Sequence, residues 1–263
     1  MRVKYSVATI VGGKINNEDC FCINDKVGPI DTKEYYSEGV LEIADDMINV
    51  IAVFDGVTSS FHGERAANIV ANTVKRAYEQ FYFTNICKEN FDKLMEVAAA
   101  NIRWEFNKYC LGTSSATTIS LVAFNRSTIW SYNLGDSPIY LYRNNQLMPL
   151  FREHTVGAEK MLEYKQKNFL YKIFNLRKPN GYEYNCLTKC ISTNMYKADG
   201  YLTEMDFLDN DTILICSDGL LKAVEQKDIT NIIAKGETAT RLTQMANMNI
   251  ALDNVTAILI RKE

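Results

Sequence analysis

Residues 211–224 have the sequence DTILICSDGLLKAV, in which a continuous apolar run ends at an aspartate followed by a glycine. The run at 212–216 predicts a strand that is buried on both faces. An aspartate at the end of a strand is commonly a turn former or a helix cap, so Asp218 alone carries little functional information. Its meaning depends on whether other strands end in the same way.

Four further apolar runs of the chain are flanked by acidic residues. These junctions are Glu18-Asp19 before CFCI, Asp55-Gly56 after VIAVF, Gly135-Asp136-Ser137 after IWSYNL, and Asp253-Asn254 before VTAILI. If the strands share one edge, several carboxylates meet there, and their like charges raise one another's pKa and oppose folding. A hard divalent cation such as Mg²⁺ or Mn²⁺ resolves that conflict, because it takes oxygen ligands. The five junctions together therefore predict a metal site, although each aspartate alone also fits a turn.

The remaining periodicity predicts an α+β protein. Alternation over residues 3–9 and the apolar run at 47–54 predict strands, and apolar residues spaced three and four apart predict long helices over 61–81 and 91–109. Four strands with short polar turns between 117 and 150 predict an antiparallel meander, and a helix is expected around 157–168. A strand at 212–216, helices near 225–234 and 237–249, and a strand at 255–262 follow. This order predicts antiparallel sheets covered by helices, and the lack of a Pro/Gly/Ser-rich linker predicts a single domain over 1–263.

Composition excludes several functional classes. A net charge of -3 predicts neither a nucleic-acid partner nor attraction to an anionic membrane. The N-terminus lacks the apolar core of a signal peptide and no stretch resembles a membrane span, so the expected location is the cytoplasm. Seven cysteines are an odd and scattered set, which predicts buried reduced thiols. Cys20-x-Cys22 and Cys186-x3-Cys190 lack the spacing of a zinc ribbon.

Eight segments of the chain, in order, resemble the metal-dependent protein phosphatases of the type 2C class, and in particular the bacterial members. The segments are KINNED (14–19), VFDGVTSSFHGERAA (53–67), GTSSATTISLVAF (112–124), NLGDSPIYLYRNNQL (133–147), REHT (152–155), NCLTKCI (185–191), DTILICSDGLLKAV (211–224) and DNVTAILI (253–260). The resemblance implies a four-layer αββα sandwich of the α+β class, with two antiparallel sheets flanked by helix pairs. It also implies hydrolysis of phosphoserine and phosphothreonine in proteins, opposed by a Ser/Thr kinase.

The resemblance assigns roles to residues by motif position. Asp55 resembles the ligand that bridges two Mn²⁺ or Mg²⁺ ions, with the Gly56 carbonyl on one ion and Asp218 and Asp253 on the other. Glu18 and Asp19 resemble acids that hold metal-bound waters, and Asp136 resembles a contributor to a weaker third ion. Two ions about 3.5–4 Å apart activate a water and neutralise charge on the phosphoryl oxygens.

Three features of the chain depart from this pattern. Lys14 stands where the family has a phosphate-binding arginine, and lysine keeps the charge but loses the bidentate fork. Val57 stands where many eukaryotic members have a proton-donating histidine, for which His62 is a substitute candidate, although a place in the first helical turn is the simpler expectation. Residues around 152–200 correspond to a variable flap, and residues 152–189 carry eight basic against four acidic residues. That stretch is either attractive to an acidic phosphorylated partner or simply a solvated face.

Other functional classes fit less well. The main alternative is a catalytically weak pseudophosphatase that binds a phosphoprotein or a regulator. A serine or cysteine hydrolase is disfavoured because the chain has no G-x-S-x-G elbow and only His62 and His154 as candidate bases. Gly12-Gly13-Lys14 lacks the spacing of a P-loop.

Overall fold

The computed structural model describes residues 2–43, 47–57, 60–109, 111, 114–167 and 185–263. Its strands are β1 (Arg2–Ile10), β2 (Cys20–Ile23), β3 (Lys26–Val27), β4 (Glu34–Glu42), β5 (Asn49–Phe54), β6 (Ala116–Thr117), β7 (Ile119–Phe124), β8 (Thr128–Leu134), β9 (Ile139–Arg143), β10 (Gln146–Pro149), β11 (Ile191–Ser192), β12 (Tyr201–Asp206), β13 (Thr212–Cys216) and β14 (Val255–Lys262). The helices are α1 (Gly63–Glu79), α2 (Lys88–Tyr109), α3 (Val156–Lys167), α4 (Asp218–Ala223), α5 (Gln226–Ala234) and α6 (Ala239–Met248). The predicted bounds of the strands at 212–216 and 255–262 are confirmed.

Two six-stranded antiparallel sheets form the centre of the molecule. One sheet has the strand order β10-β9-β13-β14-β1-β4, and the other has the order β12-β8-β7-β5-β2-β3. Strand β13 illustrates why its sequence is apolar throughout: Ile213 and Ile215 pack into the space between the sheets, whereas Leu214 and Cys216 pack against helices on the other side. Successive side chains of a strand point to opposite faces, so a strand in this position needs apolar residues at every position.

Helices cover the outer face of each sheet. Helices α1 and α2 pack on the sheet that contains β5, and α4, α5 and α6 pack on the sheet that contains β13. The predicted four-layer αββα arrangement with two antiparallel sheets is confirmed, and its second outer layer holds three helices. The expectation of buried thiols is confirmed for Cys20, Cys22 and Cys216 but is wrong for Cys186, which is exposed, and Cys87 and Cys190 are partly exposed. Within the described ranges, no helix combines the length and the apolar character that crossing a membrane requires.

The meander predicted between 117 and 150 is wrong at its centre. Strands β7 and β8 pair in one sheet, but β9 and β10 pair in the other. The chain leaves β8 through Gly135, whose φ of 131° lies in the region that favours glycine, and Pro138 precedes β9. The free edge of β8 is then taken by β12, which is distant in sequence, so the local turn pattern carried no information on this exchange.

Much of the predicted flap around 152–200 lies outside the described residues. The structure gives the backbone of α3 and residues 185–200, whereas residues 168–184 and the side chains of 163–167 are not described. Five of the eight basic residues fall there: Lys165, Lys167, Lys172, Arg177 and Lys178. The charge of the flap therefore stays a prediction.

The fully buried Ile51, in the space between the two sheets, allows a test of the sandwich. Ile51→Ala is expected to lower the free energy of unfolding by about 2–5 kcal/mol, because it leaves a cavity between two rigid sheets. The control Val97→Ala, at a half-exposed position on α2, is expected to change it by less than about 0.5 kcal/mol. Urea unfolding followed by circular dichroism measures both. Equal losses in the two variants would contradict the assigned core.

Candidate metal centre

The five acidic junctions meet at one end of the paired sheets. Asp55 follows β5, Asp136 follows β8, Asp218 is the first residue of α4 after β13, Asp19 precedes β2, and Asp253 precedes β14. Removal from water raises the pKa of Asp55 well above its ordinary value, and the charges of Asp19, Asp218, Asp136 and Asp253 raise it further. The structure thus brings together the five aspartates that the sequence singled out, with Asp55 within electrostatic reach of all the others.

Hydrogen bonds to its backbone hold Asp55 in place. The Asp55 carbonyl accepts bonds from the Thr117 hydroxyl at 2.9 Å and from the Thr118 N–H at 2.8 Å. The Asp55 N–H donates to Thr118 Oγ1 at 3.2 Å, and that hydroxyl lies 2.8 Å from Ser137 Oγ. The ends of three strands are therefore tied together through Thr118.

Gly56 lies where two pieces of backbone approach closely. Its N–H donates to the Glu18 carbonyl at 3.2 Å. A Cβ at this position would lie 2.6 Å from the carbonyl carbon of Gly63, at the start of α1, and 2.7 Å from the Glu18 carbonyl oxygen. The packing alone accounts for glycine here, so a role of its carbonyl in metal binding stays a prediction.

Asp19 is the most enclosed carboxylate of the cluster. Its Oδ2 accepts a hydrogen bond from Ser217 Oγ at 2.8 Å, whereas its buried Oδ1 has no hydrogen-bond partner. Burial raises the pKa of Asp19 to about 7, although bonds from Thr256 and Ser217 oppose the shift. An acceptor oxygen that is buried without a donor is costly, and a bound cation or its water would satisfy it.

Asp136 lies in the loop that connects β8 of one sheet with β9 of the other. Burial, and secondly the charge of Asp218, raise the pKa of Asp136 to about 7. The neighbouring Gly135 donates its N–H to His154 Nδ1 at 3.2 Å and accepts the His154 N–H at 3.0 Å. Burial lowers the pKa of His154 to about 4, so a neutral imidazole anchors this loop. His154 is therefore a positioning residue for Asp136.

Lys222 lies between two of the aspartates. Its Nζ is 2.6 Å from Asp218 Oδ2 and 2.7 Å from Asp253 Oδ2, and Lys14 Nζ is 3.5 Å from Asp253 Oδ1. Burial acts to raise the pKa of Asp253, but Lys222 and Lys14 outweigh it and lower that pKa. For Asp218, burial prevails over Lys222 and the pKa is raised. Lys222, with a smaller contribution from Lys14, thus partly neutralises the cluster.

Two residues that hold the site together were given no role by the sequence. Asn254 accepts the Glu18 N–H at 2.9 Å and donates to the carbonyls of Val11 at 2.8 Å and Asn16 at 3.0 Å, so it fixes the loop that carries Lys14 and Glu18. Its position directly after Asp253 was the available signal. Lys222 follows Asp218 at the i, i+4 spacing of a helix, which predicts contact once α4 is recognised.

The structure gives the positions of Val57, which departs from the family pattern, and of His62, the candidate substitute for the missing histidine. Val57 donates its N–H to the Ala116 carbonyl at 3.0 Å and offers no proton-transfer group. His62 is the N-cap residue of α1 rather than part of its first turn, and its Nδ1 lies 3.2 Å from Glu64 Oε1. Thr58, Ser59, Gly112 and Thr113 of the quoted motifs lie outside the described residues.

The donor set fits a hard divalent cation, although its oxygens are not yet arranged around one point. Among the described side chains, no three acidic, histidine or cysteine groups meet with the spacing of a preformed metal cage. The oxygen-only composition, the partnerless Asp19 Oδ1 and the raised pKa values of Asp19, Asp55 and Asp136 all favour added positive charge. A cation would compete with Lys222 for Asp218 and Asp253.

The raised pKa values give the metal-free protein a defined pH dependence. Between about pH 4 and about pH 7 the folded protein retains protons on Asp19 and Asp136 that the unfolded chain has released. The free energy of unfolding in chelator is therefore expected to fall as the pH rises through this window. Urea titrations below, within and above the window measure it, with Asp19→Asn as the variant that should flatten the slope. Stability that rises with pH in this window would contradict the assignment.

Comparisons with known proteins identify the family of this chain. The family model described as protein phosphatase 2C matches residues 41–255. The serine/threonine phosphatase stp of Listeria monocytogenes is 20% identical over 243 residues, which cover 86% of this chain and 88% of that protein. The Stp1 serine/threonine phosphatase of Staphylococcus aureus has a crystal structure with a TM-score of 0.73 at 20% identity, covering 98% of this chain and 94% of that one.

A further solved structure contains metal ions. The catalytic domain of the serine/threonine protein phosphatase PstP, in complex with two manganese ions, has a TM-score of 0.70 at 18% identity and covers 99% of both chains. At this identity the solved structures support the shared fold, while the family model covers most of the chain. The chain belongs to the protein phosphatase 2C family.

Proposed function

We propose that this protein hydrolyses phosphoserine and phosphothreonine in proteins, with a water activated by two bound Mn²⁺ or Mg²⁺ ions. The observation that carries the proposal is the meeting of five aspartates from five strand ends, with Asp55 electrostatically coupled to the other four. Membership of the protein phosphatase 2C family supports the reaction class. A weaker third ion at Asp136 is part of the same proposal.

The proposed ligand roles combine the family resemblance with the observed contacts. Asp55 would be a ligand of both ions, since the charges of the other four aspartates all act on it, and the Gly56 carbonyl would be a ligand of one ion. Asp218 and Asp253 would hold the other, and both already contact a cation in the form of Lys222. Glu18 and Asp19 would act through waters, which would give Asp19 Oδ1 a hydrogen-bond partner.

When bound, the ions supply a more acidic water and positive charge against the phosphoryl oxygens. The chain itself would contribute further positive charge through Lys14, the proposed phosphate-binding residue, whose Nζ lies 3.5 Å from Asp253 Oδ1. As a lysine it attracts the phosphate as a point charge without the bidentate geometry of an arginine. Asn254 orients this loop, and Ser217 orients Asp19.

The proposal extends to the biological setting. A phosphoprotein is the substrate, and its phosphate has to be installed by a protein serine/threonine kinase. The three basic residues of the flap whose side chains are described, Arg152, Lys160 and Lys189, would contribute to attracting an acidic partner. We also propose that residues 1–263 form one domain and that the protein is located in the cytoplasm.

A catalytically weak phosphoprotein binder is the second candidate function. The observation that favours it is Lys222, whose ammonium occupies the space between two proposed metal ligands. A permanent organic cation would stabilise the acidic cluster without activating water. Turnover and metal affinity separate the two functions.

The first experiment is hydrolysis of para-nitrophenyl phosphate and of a phosphothreonine peptide with Mn²⁺, with Mg²⁺ and with chelator. Asp55→Asn is expected to reduce metal-dependent turnover by at least about 100-fold, because it removes the shared ligand charge, and to raise stability in chelator because it relieves repulsion. Asp25→Asn, in the exposed turn after β2, is the matched control and should keep full activity. Unchanged turnover in Asp55→Asn would refute the two-ion assignment. A folded wild-type protein that is inactive with both metals would favour the binder.

Lys222 gives a second prediction that does not depend on turnover. Lys222→Met keeps the apolar stem but removes the charge that competes for Asp218 and Asp253. Calorimetric titration is expected to show roughly two- to fivefold tighter Mn²⁺ binding, together with lower stability in chelator. Lys227→Met, an exposed lysine on α5, should change neither quantity. Weaker Mn²⁺ binding in Lys222→Met would show that the lysine supports the metal site rather than competing with it.

A further inference from the structure

Helix α6 ends in a conformation that suits glycine, yet the residue there is isoleucine. Ile250 has a φ of 58°, its N–H donates to the Asn247 carbonyl at 3.1 Å, and the Ala251 N–H donates to the Ala246 carbonyl at 3.0 Å. These two bonds form a Schellman motif, in which the left-handed position is normally glycine. A β-branched residue in this region is a true outlier.

The Ile250 side chain does not repay this strain within the chain. It is 78% exposed, so it buries little apolar surface against its own protein. Glycine would relieve the backbone and also remove an apolar side chain from water. Backbone strain of this kind clusters at functional sites, which draws attention to the surface around Ile250.

Ile250 is part of a larger exposed apolar surface, which we name the apolar rim. It consists of Ile15, Met248, Ile250 and Leu252, whose exposed fractions are 93%, 73%, 78% and 80%. The loop that carries Ile15 is fixed to the segment that carries Leu252, because Asn254 bonds the Val11 and Asn16 carbonyls. A Cβ on Gly13 would lie 3.2 Å from the Leu252 Cα. The rim therefore comes from two neighbouring segments, the loop before β2 and the end of α6 with the loop that follows it.

The apolar rim borders the candidate metal centre. Ile15 directly follows Lys14 and Leu252 directly precedes Asp253, and these two charged side chains are 3.5 Å apart. A phosphate bound at Lys14 would bring the residues next to the phosphorylated side chain over the rim. Small phosphate esters lack such flanking residues and would not reach it.

We propose that the apolar rim is a docking surface for apolar side chains that flank the phosphorylated residue of the protein substrate. This inference rests on the proposed phosphatase function and adds a substrate class to it: phosphoserine or phosphothreonine next to aliphatic or aromatic residues. The rim adjoins the candidate centre, which favours the substrate as its binding partner over a second copy of the chain. A second copy bound to the rim would obstruct access to Lys14.

The test compares two phosphothreonine peptides, one with leucine and phenylalanine flanks and one with serine and glycine flanks. Ile250→Gly and Leu252→Ser are each expected to raise KM for the apolar peptide, by on the order of tenfold, because an apolar contact is lost. The KM for the polar peptide, kcat, and hydrolysis of para-nitrophenyl phosphate should stay unchanged. Ile250→Gly should also raise the unfolding temperature. Leu208→Ser, at a half-exposed leucine just before β13, is the matched control and should behave as wild type.

Each outcome supports or overturns the docking surface. Equal KM values for the two peptides in wild type, or unchanged KM values in both rim variants, would overturn it while leaving the phosphatase function intact. Sedimentation in which a wild-type dimer is lost in the variants, without a change in KM, would assign the rim to a second copy. If wild type hydrolyses nothing, the proposed function fails separately. Fluorescence anisotropy of the same two peptides then tests the rim through binding, and equal affinities would overturn it.

Discussion

Mutual repulsion among buried carboxylates is the constraint on which this structure depends. Asp19, Asp55 and Asp136 all have raised pKa values, first because they are removed from water and also because the charges of nearby acidic residues, including Asp218 in each case, act on them. Such an arrangement opposes folding unless positive charge or hydrogen-bond donors offset it. The chain supplies some of each through Lys222 and Ser217. Asp19 Oδ1 still has no hydrogen-bond partner, and a divalent cation would satisfy it.

The two packed sheets make this concentration of charge possible. Their facing sides form a continuous apolar core, so the strand ends are held by packing that does not depend on the acidic cluster. Hydroxyl and amide side chains then set the positions of the acidic segments. Thr118 joins the end of β5 to Ser137, and Asn254 fixes the loop that bears Lys14 and Glu18.

The sequence predicted whatever is encoded locally. The continuous apolar runs of β13 and β14 and the helical spacing of α1 and α2 predicted those elements, and the five acidic junctions predicted the candidate centre, whereas the four-layer arrangement was implied by the family resemblance. Sequence periodicity carries no information on which strands pair at long range. It therefore did not reveal that the chain passes from one sheet to the other between β8 and β9, or that β12 pairs with β8 and β13 with β9. The contact of Lys222 with both Asp218 and Asp253 was missed for a related reason, because it needs the helix of α4 and the tertiary approach of β14 together.

Natural sequences agree with their fold at most levels, and departures from that agreement tend to lie at functional positions. Two such departures lie close to the start of β14. Lys222 places a cation against Asp253, where a metal would be expected, and Ile250 adopts a glycine conformation three residues before Asp253 while its side chain faces water. Neither is required by the sandwich, since the core is complete without them. Glycine would suit the backbone at 250 better, and the exposed isoleucine found there is the feature from which the proposed docking surface is argued. The segment before β14 thus carries both Asp253 of the candidate centre and the apolar residues Ile250 and Leu252 of the proposed docking surface.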